Sequence, residues 1–411
     1  MKKITTVFAA GLAIASATAQ KPDPFKELPE KYWDFSLIEK VPAYREAPAQ
    51  QQVKGLKAVL VEGFGPKEDD KDFNAAFPKP LKEKTKAEFF AYIGIPSTPM
   101  PKGGYPGIVL IHGGGGTAFP GWTKMWVDKG FVVIALDWYN QMPVPKHKHI
   151  PTNSIESKIE LPGGKRQDHI SNVANMAVAH SLLRSLKEVN PEKTAFVGLS
   201  WGSWYGTMLA SLDNRFNGGV LIYCGDRKFH RKIFNGRFVH AAKVPLYWVV
   251  STHDQNVNLR TLNNSFKICP TIDTKSIVIE LPHSHIGFEF DSCFRMAEYY
   301  TTKAVPALPK LSEMKVKDGT AACKIISSGK GIKNAVLCYT DDDKQPKYHL
   351  RKWKTVPAEI KDDTITAKIP KGAYMYYISA YEGDSKHHDL CGSTNPVVKP
   401  YPGEKTPAKK K

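Results

Sequence analysis

The sequence predicts an α/β protein, with a mostly parallel β-sheet covered by helices on both faces, followed by a small C-terminal antiparallel β-sandwich. Between residues 56 and 306, continuous apolar runs alternate with helical segments, as expected of a parallel sheet that is buried on both faces. Between residues 310 and 400, shorter runs alternate apolar and polar side chains with a period of two. That pattern is typical of an Ig-like sandwich, in which each sheet buries one face.

The strands of the first region are predicted from their apolar runs. In chain order these are "LKAVLVEGF", "AEFFAYIGIP", "PGIVLIHGG", "FVVIALDW", "TAFVGLS", "GGVLIYC", "VPLYWVVST" and "SIVIELP". Helices are predicted at "FPGWTKMWVDKG", from Asp168 to Asn190, at "WYGTMLASL", and around Phe288 to Tyr300. The second of these carries a helical apolar stripe that includes Val173, Met176 and Leu183, so we expect that face to pack on the sheet. In the sandwich, "NAVLCYT", "TITAKIP" and "AYMYYISAY" are the predicted strands.

The first 19 residues are typical of an export signal. Lys2 and Lys3 precede an apolar run from Val7 to Ala15, and Ala17-Thr18-Ala19 forms a small-residue cleavage site. We therefore expect a secreted or periplasmic mature chain, and the sequence predicts no membrane span. Residues 20–55, rich in Pro, Lys, Glu and Gln, are predicted to be an extended lead-in over the surface, and residues 401–411 to be a basic tail.

Charge and cysteine content limit the classes of partner and cofactor. The net charge of +18 favours acidic partners, but the lysines are scattered outside the tail and no nucleic-acid motif accompanies them. We therefore predict a solvated basic surface and no nucleic-acid binding. Export permits disulfides, and the six cysteines fall three on each side of residue 307, so at least one free thiol or one bridge between the domains is expected. No Cys-x-x-Cys pair occurs, and neither a metal nor an organic cofactor is predicted.

The stretch "FVGLSWGSW" places Ser200 where a buried strand ends and a helix begins. Glycines on both sides, Gly198 and Gly202, would relieve crowding at a sharp turn and let the serine hydroxyl protrude at the carboxyl end of the sheet. The N–H of Trp201 would lie at the helix start, with the polarity to stabilise a developing oxyanion. The alternative is a serine N-cap beside two ordinary glycines.

A second glycine cluster favours the catalytic interpretation. The segment "LIHGGGG", from Leu110 to Gly116, follows the third strand, and its unshielded N–H groups could bind a substrate oxygen. We expect His112 to position this loop rather than to act as a base. Trp122, Trp201, Trp204 and Tyr205 could line a substrate pocket, although core packing is expected for at least half of these aromatic residues.

An acid and a base follow Ser200 in the chain. Asp254 comes just after one strand, and His283 and His285 come just after the next strand, so all would lie at the same sheet edge as Ser200. The serine requires a base, and the base requires a carboxylate that holds its tautomer. His283 is preferred because it follows the strand directly, with His285 as the alternative base. Asp254 is preferred over Asp226, which follows an earlier strand.

Several of these segments together resemble a known family. "HGGGGTAFPGW", "LPGGKRQDH", "LLRSLKEVNPEKTAFVGLSWGSW", "LDNRF" and "LPHSH" are similar to secreted bacterial esterases described as acetylxylan-esterase-like or dienelactone-hydrolase-like, within the α/β-hydrolase superfamily. The resemblance covers roughly residues 55 to 400. It implies Ser200 as nucleophile, Asp254 as acid, His283 as base, and main-chain oxyanion donors near Gly114 and at Trp201. The family usually has a glycine where this chain has Ser203, which predicts a more crowded helix start.

The expected function is a secreted serine esterase that removes small acyl groups, above all acetyl, from a plant or algal polysaccharide. The basic surface would suit an acidic glycan such as pectin. Two alternatives are a serine peptidase of the prolyl-oligopeptidase type and a glycan-binding protein built on a hydrolase scaffold. The short lead-in leaves no room for the propeller usual in such peptidases, and a scaffold would not need all three triad residues.

Overall fold

The computed structural model describes residues 28–65, 79–149, 154–162, 168–223 and 237–399 of the chain. The predicted export signal at residues 1–19 and the predicted basic tail at residues 401–411 lie outside these ranges. Asp226 and Cys224 also lie outside them.

A nine-stranded sheet organises the first region of the described chain. Its strands are β1 (Tyr44–Glu46), β2 (Lys57–Gly65), β3 (Thr85–Gly94), β4 (Tyr105–Ile111), β5 (Val132–Leu136), β8 (Val189–Leu199), β9 (Gly218–Ile222), β10 (Leu246–Ser251) and β11 (Ile272–Val278). Two further strands, β6 (Gln141–Pro145) and β7 (Ile155–Glu160), form a separate hairpin. The strand order in the sheet is β1-β2-β3-β5-β4-β8-β9-β10-β11. Strands β5, β4 and β8 to β11 pair in parallel, whereas β1, β2 and β3 are antiparallel. The predicted mostly parallel sheet is therefore confirmed.

Helices cover both faces of this sheet. They are α1 (Phe35–Ile38), α2 (Pro120–Asp128), α3 (His169–Ser185), α4 (Trp201–Leu212), α5 (Leu259–Ile268) and α6 (Asp291–Thr302). One apolar core lies between the sheet and α3, α4 and α5, and a second lies between the opposite face and α2 and α6. Parallel strands need such cover because both of their faces are apolar. Helix α3 ends earlier than predicted, because the backbone of Leu186 is extended and β8 begins at Val189.

The lead-in is more closely integrated than an extended surface segment would be. Strand β1 pairs with β2 at the sheet edge. The indole N–H of Trp33, which is buried, donates to the carbonyl of Ile170 at 2.8 Å, and the hydroxyl of Ser181 donates to the carbonyl of Ile38 at 2.8 Å. These contacts cover the outer face of α3. That helix is therefore buried on nearly every side, and not only along its predicted stripe.

The C-terminal region forms the predicted sandwich of two antiparallel sheets. Its strands are β12 (Lys310–Leu311), β13 (Lys315–Lys317), β14 (Thr320–Ser327), β15 (Asn334–Thr340), β16 (Lys354–Pro357), β17 (Glu359–Lys361), β18 (Thr364–Lys368), β19 (Met375–Tyr381), β20 (Cys391–Ser393) and β21 (Val397–Val398). Strands β12 and β13 pair with β14, which is followed by β18 and β17; the other sheet runs β16-β15-β19, with β20 and β21 both paired to β19. Side chains such as Leu337, Ile365 and Ile378 fill the space between the sheets.

The sandwich packs against β11, the last strand of the main sheet. The N–H of Ile277 donates to the hydroxyl of Ser393 at 3.0 Å, and the carbonyl of Ile277 accepts from the hydroxyl of Tyr377 at 3.2 Å. The hydroxyl of Thr274 donates to the carbonyl of Pro309 at 2.6 Å. Polar groups that an open sheet edge would expose are thus bonded by side chains and backbone of the second domain.

The five described cysteines are buried free thiols: Cys269, Cys293, Cys323, Cys338 and Cys391. Burial raises the pKa of each of these thiols. The described ranges thus hold free thiols and no disulfide bridge. Within the same ranges, every helix is too short or too polar to cross a bilayer.

Candidate active site

Ser200 lies at a strained turn between β8 and α4. Its backbone has φ 55° and ψ −114°, which places a non-glycine residue in a sparsely populated region. The N–H of Ser200 donates to the carbonyl of Ile222 at 2.8 Å, which ties the turn to the end of β9. The Ser200 side chain makes no capping hydrogen bond to α4. Ser200 thus occupies the N-cap position of α4, but its hydroxyl does not cap the helix and is available for another contact.

The flanking glycines are required by backbone contacts. A Cβ at Gly198 would lie 2.3 Å from the carbonyl oxygen of Gly202, and a Cβ at Gly202 would lie 2.0 Å from the carbonyl oxygen of Ile111. Ser203 fits in the next position, because its side chain is buried and its hydroxyl donates to the carbonyl of Ser200 at 2.6 Å. The departure from the family pattern at Ser203 therefore adds a hydrogen bond at the turn.

Ser200, His283 and Asp254 form a continuous hydrogen-bonded chain. Nε2 of His283 lies 2.8 Å from Oγ of Ser200, and Nδ1 of His283 lies 2.8 Å from Oδ2 of Asp254. Asp254 is buried and the imidazole is nearly so, with 1% and 11% of their side-chain surfaces exposed. Because an ionised carboxylate only accepts, Nδ1 carries the proton, and Nε2 is left to accept from the serine hydroxyl.

The loops after β10 and β11 are bonded to each other, and this fixes the distance between acid and imidazole. The hydroxyl of Ser251 accepts the N–H groups of His253 and Leu281, and the hydroxyl of Thr252 accepts the N–H of Glu280 at 3.1 Å. These bonds join the loop that carries Asp254 to the loop that carries His283. Ser251 and Thr252 stand at the end of a predicted strand, but the sequence pattern alone does not indicate that their hydroxyls join two loops.

His285 and Tyr223 surround the His283 loop in different ways. The ring of His285 stacks on Phe288 with centroids 4.8 Å apart, and it meets Phe119 edge-on. Burial, with a smaller contribution from His283, lowers the pKa of His285. Tyr223, which has no functional signal in the sequence, packs its ring 4.7 Å from that of His283, and its hydroxyl donates to the carbonyl of Pro282 at 3.2 Å. The hydrogen-bonded chain to Ser200 runs through His283, with His285 beside it.

The glycine loop after β4 faces the turn at Ser200. A Cβ at Gly114 would lie 2.4 Å from Cδ1 of Trp201, so loop and turn are in close contact. The buried imidazole of His112 connects this loop to the segment that follows β5. Its Nε2 accepts the N–H of Trp138 at 3.2 Å, so its Nδ1 carries the proton and donates to the carbonyl of Gly113 at 2.8 Å. Burial lowers the pKa of His112 to about 3, which keeps the imidazole neutral. His112 thus positions the loop, as expected.

Three of the four aromatic residues considered for a pocket are in the core. Trp122, Trp204 and Tyr205 are buried, and Trp122 stacks on Phe288 with centroids 4.4 Å apart. Trp201 is half-buried and contacts the glycine loop. Its ring lies parallel to that of His169, with centroids 6.2 Å apart. Of these four, Trp201 is the side chain placed where a substrate could touch it.

Metal ligands are not clustered in the described part of the chain. No group of three or more His, Cys, Asp or Glu side chains there has the arrangement to hold a metal ion. The alternative acid Asp226 lies outside the described residues, and the carboxylate that contacts His283 is that of Asp254.

One protein-family model matches part of this chain. Residues 89–269 match the model of the dienelactone hydrolase family. The matched residues lie within the domain that contains the nine-stranded sheet. The matched range includes Ser200 and Asp254 and ends before His283. No curated protein sequence matches the chain.

Several solved structures are similar to part of this chain at low sequence identity. Acetyl xylan esterase 1 from Thermoanaerobacterium sp. JW/SL YS485 is 15% identical, with 66% of this chain and 94% of that chain covered and a TM-score of 0.45. An acetyl xylan esterase from Paenibacillus sp. R4 is 15% identical over 64% of this chain and 92% of that chain, with a TM-score of 0.43. Porphyromonas gingivalis dipeptidyl peptidase 4 is 14% identical over 52% of this chain and 33% of that chain, with a TM-score of 0.37.

Proposed function

We propose that this α/β-hydrolase is a secreted serine esterase that hydrolyses small acyl esters, above all acetyl esters, on a polysaccharide. Ser200 is the nucleophile, His283 the general base and acid, and Asp254 the carboxylate that orients His283. One observation carries the proposal: two hydrogen bonds of 2.8 Å link Asp254, His283 and Ser200 in that order. That arrangement raises the nucleophilicity of a hydroxyl that would otherwise be a weak nucleophile.

Acylation begins when Oγ of Ser200 attacks the ester carbonyl carbon and its proton passes to Nε2 of His283. The carbonyl oxygen becomes an oxyanion, which the N–H groups of Gly114 and Trp201 bind. Trp201 occupies the first position of α4, whose N-terminal dipole favours negative charge. When the tetrahedral intermediate collapses, the bond between the acyl carbon and the sugar oxygen breaks, and the proton on Nε2 goes to that oxygen, which leaves as a sugar hydroxyl.

Deacylation repeats these steps with water as the nucleophile. Nε2 of His283 takes a proton from water, and the hydroxide adds to the acyl carbonyl carbon. Collapse of the second intermediate breaks the bond to Oγ of Ser200, which takes the proton back from His283. The acid leaves as acetate. Asp254 remains ionised throughout, and it stabilises the imidazolium that forms in both steps.

The choice of acetyl as the acyl group and of a polysaccharide as the substrate rests on the sequence resemblance to acetylxylan-esterase-like proteins. The net charge of +18 adds a preference for an anionic polymer such as pectin. Export through the signal at residues 1–19 would bring the enzyme to such a polymer outside the cytoplasm.

Acetate release tests the proposal. The mature protein and Ser200→Ala are incubated with acetylated xylan, pectin and mannan, and with 4-nitrophenyl acetate as a simple ester. We expect release from at least one polymer by the unmodified protein and none above background by the variant. Equal release by both proteins would reject Ser200 as nucleophile. No release from any of the four substrates would reject the esterase and favour a peptidase, to be assayed next with peptide amides.

A further inference from the structure

Lys158 reaches the glycine loop from a separate part of the chain. It lies on β7 of the hairpin, outside the main sheet, and its ammonium donates to the carbonyl of Gly115 and, at 2.9 Å, to the carbonyl of Gly116. Two adjacent carbonyls that bind one cation must point to the same side of the loop. A lysine ammonium has three donors and can hold both at once.

The hydrogen bond from Lys158 to the carbonyl of Gly115 influences the direction of the Gly114 N–H, the proposed oxyanion donor, through the orientation of two peptide planes. The carbonyl of Gly115 and the N–H of Gly116 share one trans peptide and point in opposite directions. That N–H donates to the carbonyl of Gly113 at 3.1 Å. The carbonyl of Gly113 in turn shares a peptide with the N–H of Gly114, which must therefore point away from it.

Glycines make this external support necessary. Gly115 has φ 73°, a conformation that other residues rarely adopt, and a run of four glycines has little conformational preference of its own. The N–H of Gly115 is held by the hydroxyl of Tyr139 at 3.3 Å, and the carbonyl of Gly113 by His112. Lys158 adds the one full positive charge among these contacts. Burial is the main cause that lowers the pKa of His112 and raises the pKa of Asp137, and the nearby charge of Lys158 makes a smaller contribution that disfavours protonation of both groups.

We propose that Lys158 is a positioning residue for catalysis: by holding the carbonyls of Gly115 and Gly116, it aims the N–H of Gly114 at the oxyanion. This inference rests on the proposed esterase function. Lys158 does not touch the reacting atoms, and its effect should appear when the oxyanion forms rather than when the substrate binds.

The test compares Lys158→Met, Lys158→Arg and a matched control, Lys148→Met, in the full chain. Lys148 follows the other strand of the same hairpin and donates to the carbonyl of Ala49 at 2.8 Å, so its loss also frees a carbonyl but away from Ser200. Hydrolysis of 4-nitrophenyl acetate gives kcat and KM, a trifluoromethyl ketone reports oxyanion binding, and thermal unfolding reports stability.

For Lys158→Met we expect kcat to fall about 10- to 100-fold. This loss is smaller than the roughly 10²- to 10³-fold loss of kcat that follows removal of an oxyanion donor itself. KM should change less than about threefold, and affinity for the trifluoromethyl ketone should fall in parallel with kcat. Lys158→Arg, which keeps the charge and can bind two carbonyls, should recover kcat to within about fivefold. Lys148→Met should match the unmodified protein within about twofold in kcat.

Two results would overturn the role of Lys158. One is an unchanged kcat in Lys158→Met; the other is a loss of kcat that follows a lowered melting temperature and is not restored by arginine. Both are distinguishable from failure of the esterase itself, because Ser200→Ala is assayed in parallel. If that variant keeps its activity, the nucleophile is wrong whatever Lys158 does.

Discussion

Oδ1 of Asp254 accepts the backbone N–H of Val257 at 2.9 Å, and it also accepts the N–H of Asn256 at 2.8 Å. The turn thereby fixes which carboxylate oxygen faces the imidazole. Oδ2 is the oxygen that contacts His283. Because a carboxylate oxygen can only accept a hydrogen bond, Nδ1 of His283 must carry the proton. The tautomer of His283 is therefore set by two main-chain N–H groups three residues or fewer from the carboxylate.

Asp254→Asn should reverse that tautomer. The two main-chain N–H groups would hold the amide oxygen in the place of Oδ1, so the amide NH₂ would face Nδ1 of His283. The proton would move to Nε2, which could no longer accept from Ser200, and we expect kcat at pH 7 to fall on the order of 10⁴-fold. Steady-state hydrolysis of 4-nitrophenyl acetate measures this, with unfolding followed in parallel. A fall of less than tenfold would mean that Asp254 does not set the tautomer.

His283→Ala and His285→Ala separate the two candidate bases. Only His283 bonds to Ser200, whereas the ring of His285 is stacked on Phe288. We expect a loss of at least about 10³-fold in kcat for His283→Ala. His285→Ala should lose less than about 30-fold, because it removes packing beside the site rather than the base. The reverse ranking would transfer the role of base to His285.

Asp137, beneath the glycine loop, should make stability depend on pH. Burial raises its pKa from 3.8 to about 6, against the opposing effect of the Thr117 hydroxyl and the N–H groups of Gln141 and Tyr139. A raised folded-state pKa stabilises the protein below pH 4, and this stabilisation is lost as the pH rises through 6. The difference between a pKa of 3.8 and one of about 6 corresponds to about 3 kcal/mol.

Asp137→Asn removes this titration while keeping an acceptor for the main-chain N–H groups. Relative to the unmodified protein, the variant should gain about 2 kcal/mol in free energy of unfolding between pH 4 and pH 7.5, measured by urea denaturation. Asp341→Asn is the control with the opposite sign, because Lys354 lowers the pKa of Asp341. A pH-independent difference for Asp137→Asn would show that Asp137 does not titrate near 6.

A buried ionic cluster away from Ser200 should contribute to stability alone. Oδ2 of Asp213 lies 2.7 Å from Nδ1 of His180 and 2.7 Å from Nη2 of Arg215, and both Asp213 and His180 are fully buried. Asp213→Ala leaves a buried imidazole and a guanidinium without their acceptor, so we expect a loss of about 3–5 kcal/mol in free energy of unfolding.

Asp128→Ala is the matched control for Asp213→Ala, since it breaks the exposed i,i+4 pair between Lys124 and Asp128. Its cost should be below about 1 kcal/mol. At temperatures where Asp213→Ala is folded, kcat should equal that of the unmodified protein. A selective loss of kcat without a change in unfolding would give the cluster a different role.

Regular periodicity explains why the sheet and the triad were predictable. Ser200, Asp254 and His283 each follow a recognisable strand, and strands that pair in parallel bring their carboxyl ends to one edge. The exact helix limits were not predictable, because Leu186 extends to start β8 and residues His285–Glu289 form a 3₁₀ turn before α6.

Contacts between distant, irregular segments were not visible in the sequence. Lys158 bonds to a loop 43 residues earlier in the chain, and nothing in "IESKIE" distinguishes it from a solvated lysine. Trp33 bonds to a helix 137 residues later. In the sequence, Tyr223 is only the end of the predicted strand "GGVLIYC". The roles of these residues depend on the tertiary structure rather than on local pattern.

The hydroxyls of Ser393 and Tyr377 that bond Ile277 have a consequence for how the molecule can be divided. A boundary near residue 307 is clear in the amino-acid pattern, yet a chain that stops there would leave a bare strand able to recruit β-strands from other molecules. Such a fragment should precipitate or associate rather than fold as an independent unit. The two domains should therefore melt in one cooperative event.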